Sequence, residues 1–329
     1  MARLVALLLA ALALLVPAAP AAADAYLPPA GKVWHGVTAG DDLHEFGTKP
    51  GVWQQFVRWG GNYEYVFRLA EGADARVMLH IGTAQGQNMP ERISPGAIAR
   101  GRGDGYLLDL NVRLAEYARP AYIRLMAEMN NCNNAYAAYG CGGGRRDADH
   151  SAERFKAAWK RTVLILRGGD VAAIDARLRA LGLPRVRTQE TSLPAVQAAF
   201  IWAPMTGGSP AIGALDPERY WPGGEYVDWV GTSFYSKFPN WGLLERHYQR
   251  FAVGHGKPFA FGEWAIWGAD APAFARQLFA WVRSHKRVRM VQYNQGDDPG
   301  SVFRPHRYPA AAKVIRGALK SPRFAGAGE

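Results

Sequence analysis

Long apolar runs are scarce in this chain. The one near the N-terminus, Leu4–Val16, falls short of the roughly 20 residues a membrane-spanning helix needs, and nothing later is as apolar. Cysteine is nearly absent, with only Cys132 and Cys141. Acidic residues are in short supply: 28 Asp and Glu stand against 39 Lys and Arg, for a formal charge of +11. The basic residues are scattered, apart from groups such as Arg145-Arg146 and Arg283 to Arg289. No recognition helix, zinc finger or basic-aromatic repeat accompanies them, so nucleic-acid binding is not expected. The charge is read as solubility and loose attraction to an anionic cell envelope. Common catalytic signatures are missing too. There is no His-Glu-x-x-His, no Gly-x-Ser-x-Gly, and Gly142-Gly143-Gly144 lacks the Gly-Lys-Ser/Thr of a phosphate loop. No repeat and no long biased linker divides the chain.

What the N-terminus does carry is an export leader. Arg3 supplies the positive start, Leu4–Val16 the apolar stretch, and Ala21-Ala22-Ala23 a small-residue cleavage site. The chain is therefore expected to be secreted, with residues 1–23 removed and the mature protein starting at Asp24. Cys132 and Cys141 are expected to pair, because a disulfide is the default in an exported protein. A metal site would need more partners than His150, the only nearby candidate. Residues 24–320 read as one catalytic domain. Residues 321–329, small and Gly-rich, read as a flexible tail.

The body alternates strand-like and helix-like segments. Strand signals fall at Val33–Val37, Arg76–Ile81, Ala121–Ala127, Ala198–Trp202, Tyr226–Phe234, Pro258–Phe261 and Val288–Tyr293. Helical spacing marks Val52–Trp59, Asp104–Ala118, Arg154–Leu166 behind Ser151, Val171–Leu181, Leu243–Val253, Ala273–Ser284 and Pro309–Leu319. Tyr63–Leu69 carries mixed signals and is read as a degraded second strand. Apolar strands between helices mean a parallel sheet covered on both faces. The turn after the first strand, Thr38-Ala39-Gly40-Asp41-Asp42, lacks the Gly-rich pattern of a dinucleotide fold. A closed (β/α)₈ TIM barrel is the reading that remains.

Such a barrel carries its chemistry at the C-terminal ends of its strands. Two glutamates stand there. Glu128 follows Ala121–Ala127, and Glu263 follows Pro258–Phe261 and Gly262. Two strand-like segments lie between them, so they would end the fourth and seventh strands. A pair of carboxylates is what glycosidic bond hydrolysis requires: one protonates the leaving oxygen and the other attacks the anomeric carbon. His80 and Arg124, polar within apolar strands, are candidate cleft hydrogen-bonders. So are Asn130 and the hydroxyl of Tyr235. Trp202, Trp264 and Trp267 are candidate platforms for the C–H faces of sugar rings. Asp228 reads as a loop support.

At these residues the sequence resembles glycoside hydrolase family 26. The resemblance rests on Ile123-Arg-Leu-Met-Ala-Glu-Met-Asn130, Arg154-Phe-Lys-Ala-Ala-Trp-Lys-Arg161, Tyr226-Val-Asp-Trp-Val-Gly-Thr-Ser-Phe-Tyr235 and Pro258-Phe-Ala-Phe-Gly-Glu263. It implies a retaining barrel glycosidase acting on a β-linked polysaccharide: mannan first, mixed-linkage glucan or xylan next. It implies Glu128 as acid/base, Glu263 as nucleophile, and Trp202 and Tyr235 as cleft residues. No cofactor is implied, and a monomer is expected. Two positions depart from the family pattern. Ala127 stands where histidine is usual, and Asn131 where glycine is usual. Those departures favour the alternative, a non-catalytic carbohydrate-binding barrel of the cell envelope. Intact Glu128 and Glu263 favour the enzyme.

Overall fold

Strands apolar on both faces are stable only in a sheet covered from both sides, and this chain closes such a sheet on itself. A computed structural model describes residues 26–38, 45–296 and 298–329. The expected leader and cleavage site lie outside the described residues. The barrel strands are β1 (Val33–Thr38), β2 (Val52–Arg58), β3 (Arg76–Gly82), β4 (Ala121–Leu125), β5 (Ala198–Trp202), β6 (Trp229–Tyr235), β7 (Phe259–Ala265) and β8 (Val288–Asn294). Each pairs in parallel with the next. β8 closes on β1 in a register running from Trp34 opposite Met290 to Thr38 opposite Asn294. The fold is the (β/α)₈ barrel that the alternation predicts.

The outer layer is built from α1 (Glu64–Gly72), α2 (Pro95–Ala99), α3 (Asp104–Tyr117), α4 (Ala152–Arg167), α5 (Val171–Ala180), α6 (Trp241–His247), α7 (Pro272–Ser284) and α8 (Pro309–Leu319). Local chemistry sets their ends. Ser151 caps α4 by accepting from the Arg154 amide, as its position predicts. Ala118, in a left-handed conformation at φ 51°, ends α3. Asp270 receives the free Ala310 and Ala311 amides at the start of α8. A π-helical turn, Tyr248–Val253, continues α6.

Two early elements exchange identities. Val52–Arg58 is a strand and Glu64–Gly72 a helix, the reverse of the sequence reading. Val52, Trp53, Phe56 and Val57 mimic helical spacing. The polar residues between them are buried as well: Gln54 is inside the barrel, donating to Thr38 Oγ1 at 3.2 Å. Helical spacing in α1 lies in Val66, Phe67 and Ala70, its buried face. The expected tail is also not free. Phe324-Ala325 adds a short strand beside Val33-Trp34, and Gly326 bridges to Pro50. Phe324 packs on Phe279 in the outer core.

The barrel interior is layered. Trp34, Met78, Tyr122, Trp229 and Met290 form an apolar plug with small residues of the other strands. On the C-terminal side of this plug the interior turns polar, and the site lies there.

Candidate active site

A strict two-residue alternation along β7 would put Glu263 on the same face as Phe259 and Phe261. Those rings point outward, against Trp281 of α7. An extra residue breaks the alternation. Opposite β6 the register jumps from Thr232–Phe261 to Ser233–Glu263, and it also shifts opposite β8. This bulge turns Glu263 into the barrel. Gly262 is required beside it, since a Cβ there would come within 2.7 Å of Arg124 Nε. Glu263 therefore stands within a strand rather than just after one, and it is buried.

Four side chains surround its carboxylate. Arg124, fully buried on β4, donates through Nη1 to Oε1, and through Nη2 to Ser233 Oγ at 2.8 Å. The Tyr235 hydroxyl donates to Oε2 at 2.7 Å, and the Asn294 amide donates to Oε2 at 3.2 Å and to the Tyr235 oxygen at 2.9 Å. The Gly296 amide donates to Asn294 Oδ1, which orients the side-chain NH₂ toward Glu263. His80 Nδ1 lies 3.3 Å from Oε1 and 3.2 Å from Arg124 Nη1. Arg124 can only donate, so a neutral His80 accepts from it.

Electrostatics follow from this packing. Burial pushes the Glu263 carboxyl up, but the Arg124 charge and the Tyr235 hydrogen bond outweigh it. The carboxyl is held well below the usual range and is ionised. Burial holds the His80 imidazole below its ordinary value, ahead of the opposing pull of Glu263. The Tyr235 hydroxyl is driven well above its ordinary value by burial and by the charges of Glu263 and Glu128. It therefore stays protonated and remains a donor.

Glu128 is placed differently. β4 ends at Leu125, and Met126 and Glu128 then take positive φ, 43° and 54°. Residues other than glycine adopt that conformation at a cost and need support. Hydrogen bonds supply it. The Glu128 amide donates to Ala203 O at 2.8 Å, and the Asn134 amide group donates to Glu128 O at 2.9 Å. The Tyr136 hydroxyl donates to Ala127 O at 2.5 Å. The Glu128 side chain accepts from Asn131 Nδ2 at 2.9 Å and is only half-buried. Its charge reaches His80, Arg124, Tyr136 and Tyr235, the groups that the Glu263 charge also reaches. The two carboxylates thus face one site. The Cys132–Cys141 disulfide forms as expected, with Cα atoms 4.9 Å apart, and staples the loop beside Glu128.

His80, Arg124 and Tyr235 come together at Glu263. Trp267 stands at the edge of the same group. Its ring lies 5.8 Å from that of Tyr235, and Phe238 and Phe303 are at 5.6 and 5.5 Å. Three expectations are corrected. Trp202 is fully buried outside the barrel against Trp221 and Phe251, with Nε1 donating to Tyr220 O. Trp264 is buried against Phe279 and Tyr293. The β7 bulge sends that ring outward, while Glu263 turns in. Asn130 is buried and spends its side chain on backbone, donating to Met205 O and Leu215 O and accepting from the Met205 amide. It clasps the loop after β5 rather than facing a ligand. Asp228 supports structure as expected, joining Arg167 and the Phe200 amide.

Sequence reasoning missed Ser233, Asn294 and the exposed Phe238. Ser233 lies two residues before Tyr235 and so shares its face. Asn294 ends β8, where the strand-end rule could have found it. Nothing near Phe238 distinguishes it from other exposed aromatics.

The fold and site define a class: a closed parallel barrel with two carboxylates at the C-terminal ends of its fourth and seventh strands. Solved structures share this architecture. One is an endo-β-1,4-mannanase double mutant from Cellulomonas fimi, with a TM-score of 0.62 and 15% identity, covering 93% of this chain and 74% of that one. A family 26 β-mannanase from Bacteroides ovatus gives 0.55 and 16%, covering 94% and 93%. A family 26 protein from Muricauda sp. gives 0.58 and 16%, covering 94% of each. No protein-family model and no curated protein matches the sequence. At these identities the likeness speaks for the fold.

Proposed function

We propose that this chain is a secreted, retaining, endo-type glycoside hydrolase acting on a β-linked polysaccharide, with mannan the favoured substrate. The observation that carries this reading is the pair Glu263 and Glu128. One is ionised and immobilised inside β7. The other is half-exposed on a turn across the same site. A binding barrel needs no buried, ionised glutamate backed by a buried arginine. The family 26 mannanases among the similar structures support the choice of mannan. Export is supported by the leader-like N-terminus and by the disulfide, which persists in oxidising compartments.

The reaction runs by double displacement. Glu263 attacks the anomeric carbon while the Glu128 proton passes to the departing glycosidic oxygen. Glu128, now a carboxylate, takes a proton from water. The water oxygen displaces Glu263 and releases the sugar with its original configuration. Tyr235 and Asn294 hold one Glu263 oxygen, which orients the attack. Both glutamates come from one barrel, so a monomer suffices.

The test is hydrolysis of mannan, mixed-linkage glucan and xylan, with the anomeric form of the first product read by NMR. Short oligosaccharides released as the β-anomer are expected. Tight binding of a β-glycan without hydrolysis would sink the reading. So would an α-anomer as first product, for the retaining mechanism. In Glu128→Ala, the loss on polymer should be about 10²–10⁴-fold, and on a dinitrophenyl glycoside azide should restore turnover and yield a β-glycosyl azide.

A further inference from the structure

Glu128 has one side-chain partner among the described residues. Its Oε2 accepts from Asn131 Nδ2 at 2.9 Å, and Oε1 accepts from none. The orientation of the Asn131 amide is settled by its surroundings. The Asn133 backbone N–H donates to Asn131 Oδ1 at 3.1 Å, which turns the NH₂ end to Glu128. Asn131 is itself buried and locked in place. Its amide donates to Glu128 O at 2.9 Å, and the neighbouring Cys132 amide donates to Ser209 O at 2.8 Å. Cys132 is also tied through its disulfide to Cys141. A glycine, the residue usual here in family 26, has no side chain to make this contact.

We infer that Asn131 is a positioning residue that selects Oε1 of Glu128 as the oxygen that gives and takes the proton. The inference rests on the acid/base reading of Glu128. A protonated carboxyl has one accepting oxygen and one O–H. The N–H of Asn131 is satisfied only by the accepting oxygen, so Oε2 carries no proton and Oε1 carries it. When the glycosidic C–O bond breaks, the Oε1 proton passes to the leaving oxygen as Glu263 bonds the anomeric carbon. In the second step the attacking water returns a proton to Oε1 as the Glu263 ester bond breaks. Asn131 holds the carboxyl in one rotamer through both steps.

The test uses the full chain with Asn131→Ala and Asn131→Asp, each checked for a parent-like unfolding transition. Asn131→Asp keeps the shape but replaces the donor with a charge. Asn131→Gly is the third variant, should the first two not fold. Each is assayed on the polymer, whose leaving group needs a proton, and on a dinitrophenyl glycoside of the same sugar, whose leaving group does not. The expected result is an approximately 10–100-fold fall in kcat/KM on the polymer, the scale of one hydrogen bond to a charged group. On the dinitrophenyl glycoside kcat/KM should stay near the parent value while kcat and KM fall together, because only the second step needs Glu128 there; on the polymer KM should barely change. An equal fall on both substrates, or none on either, would overturn the inference. Glu128→Ala is run in parallel to separate the two ideas. If it shows the leaving-group dependence and the Asn131 variants do not, the positioning role alone fails. If it does not show it, the acid/base role and the inference fall together.

Discussion

Glu263 and Glu128 are the same amino acid placed in opposite ways. Glu263 stands inside a strand, with both oxygens held and an arginine behind it. Glu128 stands on a left-handed turn, half-exposed, with Asn131 as its side-chain partner. A group that must stay ionised and aim at one carbon gains from immobility. A group that must give up and recover a proton needs contact with water. The difference in support fits the roles proposed for the two, and the most direct way to break that proposal is to remove each carboxylate. Glu263→Ala should cost roughly 10⁴–10⁶-fold in kcat on every substrate, the range for losing a nucleophile. Azide added to it should give the α-glycosyl azide, the opposite configuration to the Glu128→Ala product. Similar modest losses in both variants would erase the distinction.

The next largest effect should come from the support behind Glu263. Arg124→Met leaves a buried carboxylate with its main counter-charge gone, and about 3–5 kcal/mol of stability should be lost. The depressed Glu263 carboxyl contributes stability that is present above the ordinary carboxylate range and is lost as pH falls through its folded value. Without Arg124 that carboxyl should rise, so the acidic limb of the rate profile should move to higher pH. Denaturant unfolding and a kcat/KM profile measure both. An unmoved acidic limb would show that Arg124 does not keep the nucleophile ionised.

The Glu128 side depends on its loop instead. Opening the disulfide with Cys132→Ser and Cys141→Ser together should cost roughly 2–3 kcal/mol, because the closed loop is short. Guanidinium unfolding of the double variant against the parent checks this. A second, smaller clasp joins the loops after β3 and β4. His150 Nε2 faces Glu91 at 2.7 Å and its Nδ1 faces Asp147 at 2.6 Å. The Glu91 contact, then that of Asp147, raises its pKa above the ordinary histidine value. A raised value means stabilisation that is complete below about pH 6.5 and is lost as pH rises through the folded value. Asp147 is largely exposed, so His150→Gln should cost at most about 1 kcal/mol at pH 5. The difference from the parent should vanish in the alkaline range. A constant difference across pH would show that packing, not charge, holds these loops.

Much of this was legible in the sequence. Apolar strands between amphipathic helices implied a closed parallel barrel, and the strand-end rule found Glu128 and Glu263. The pairing of Cys132 with Cys141 followed from their scarcity and the expectation of export. The errors cluster where residue type does not report direction. β2 was read as a helix because Gln54 and Gln55 interrupt its apolar pattern, yet both are buried in the sheet. Trp202, Trp264 and Asn130 were read as cleft residues because tryptophan and asparagine serve ligands and cores alike. Their burial and partners decide between the two.

The sequence by itself determined the order of elements and the two carboxylates, because periodicity and strand ends are local properties. Only the tertiary structure decided which way those carboxylates face. Glu263 turns inward through a bulge that is defined against β6 and β8, not within β7. Its ionised state depends on Arg124, which is remote in sequence but adjacent across the barrel. Direction and charge state are set by such long-range neighbours, and they exist only once the sheet has closed.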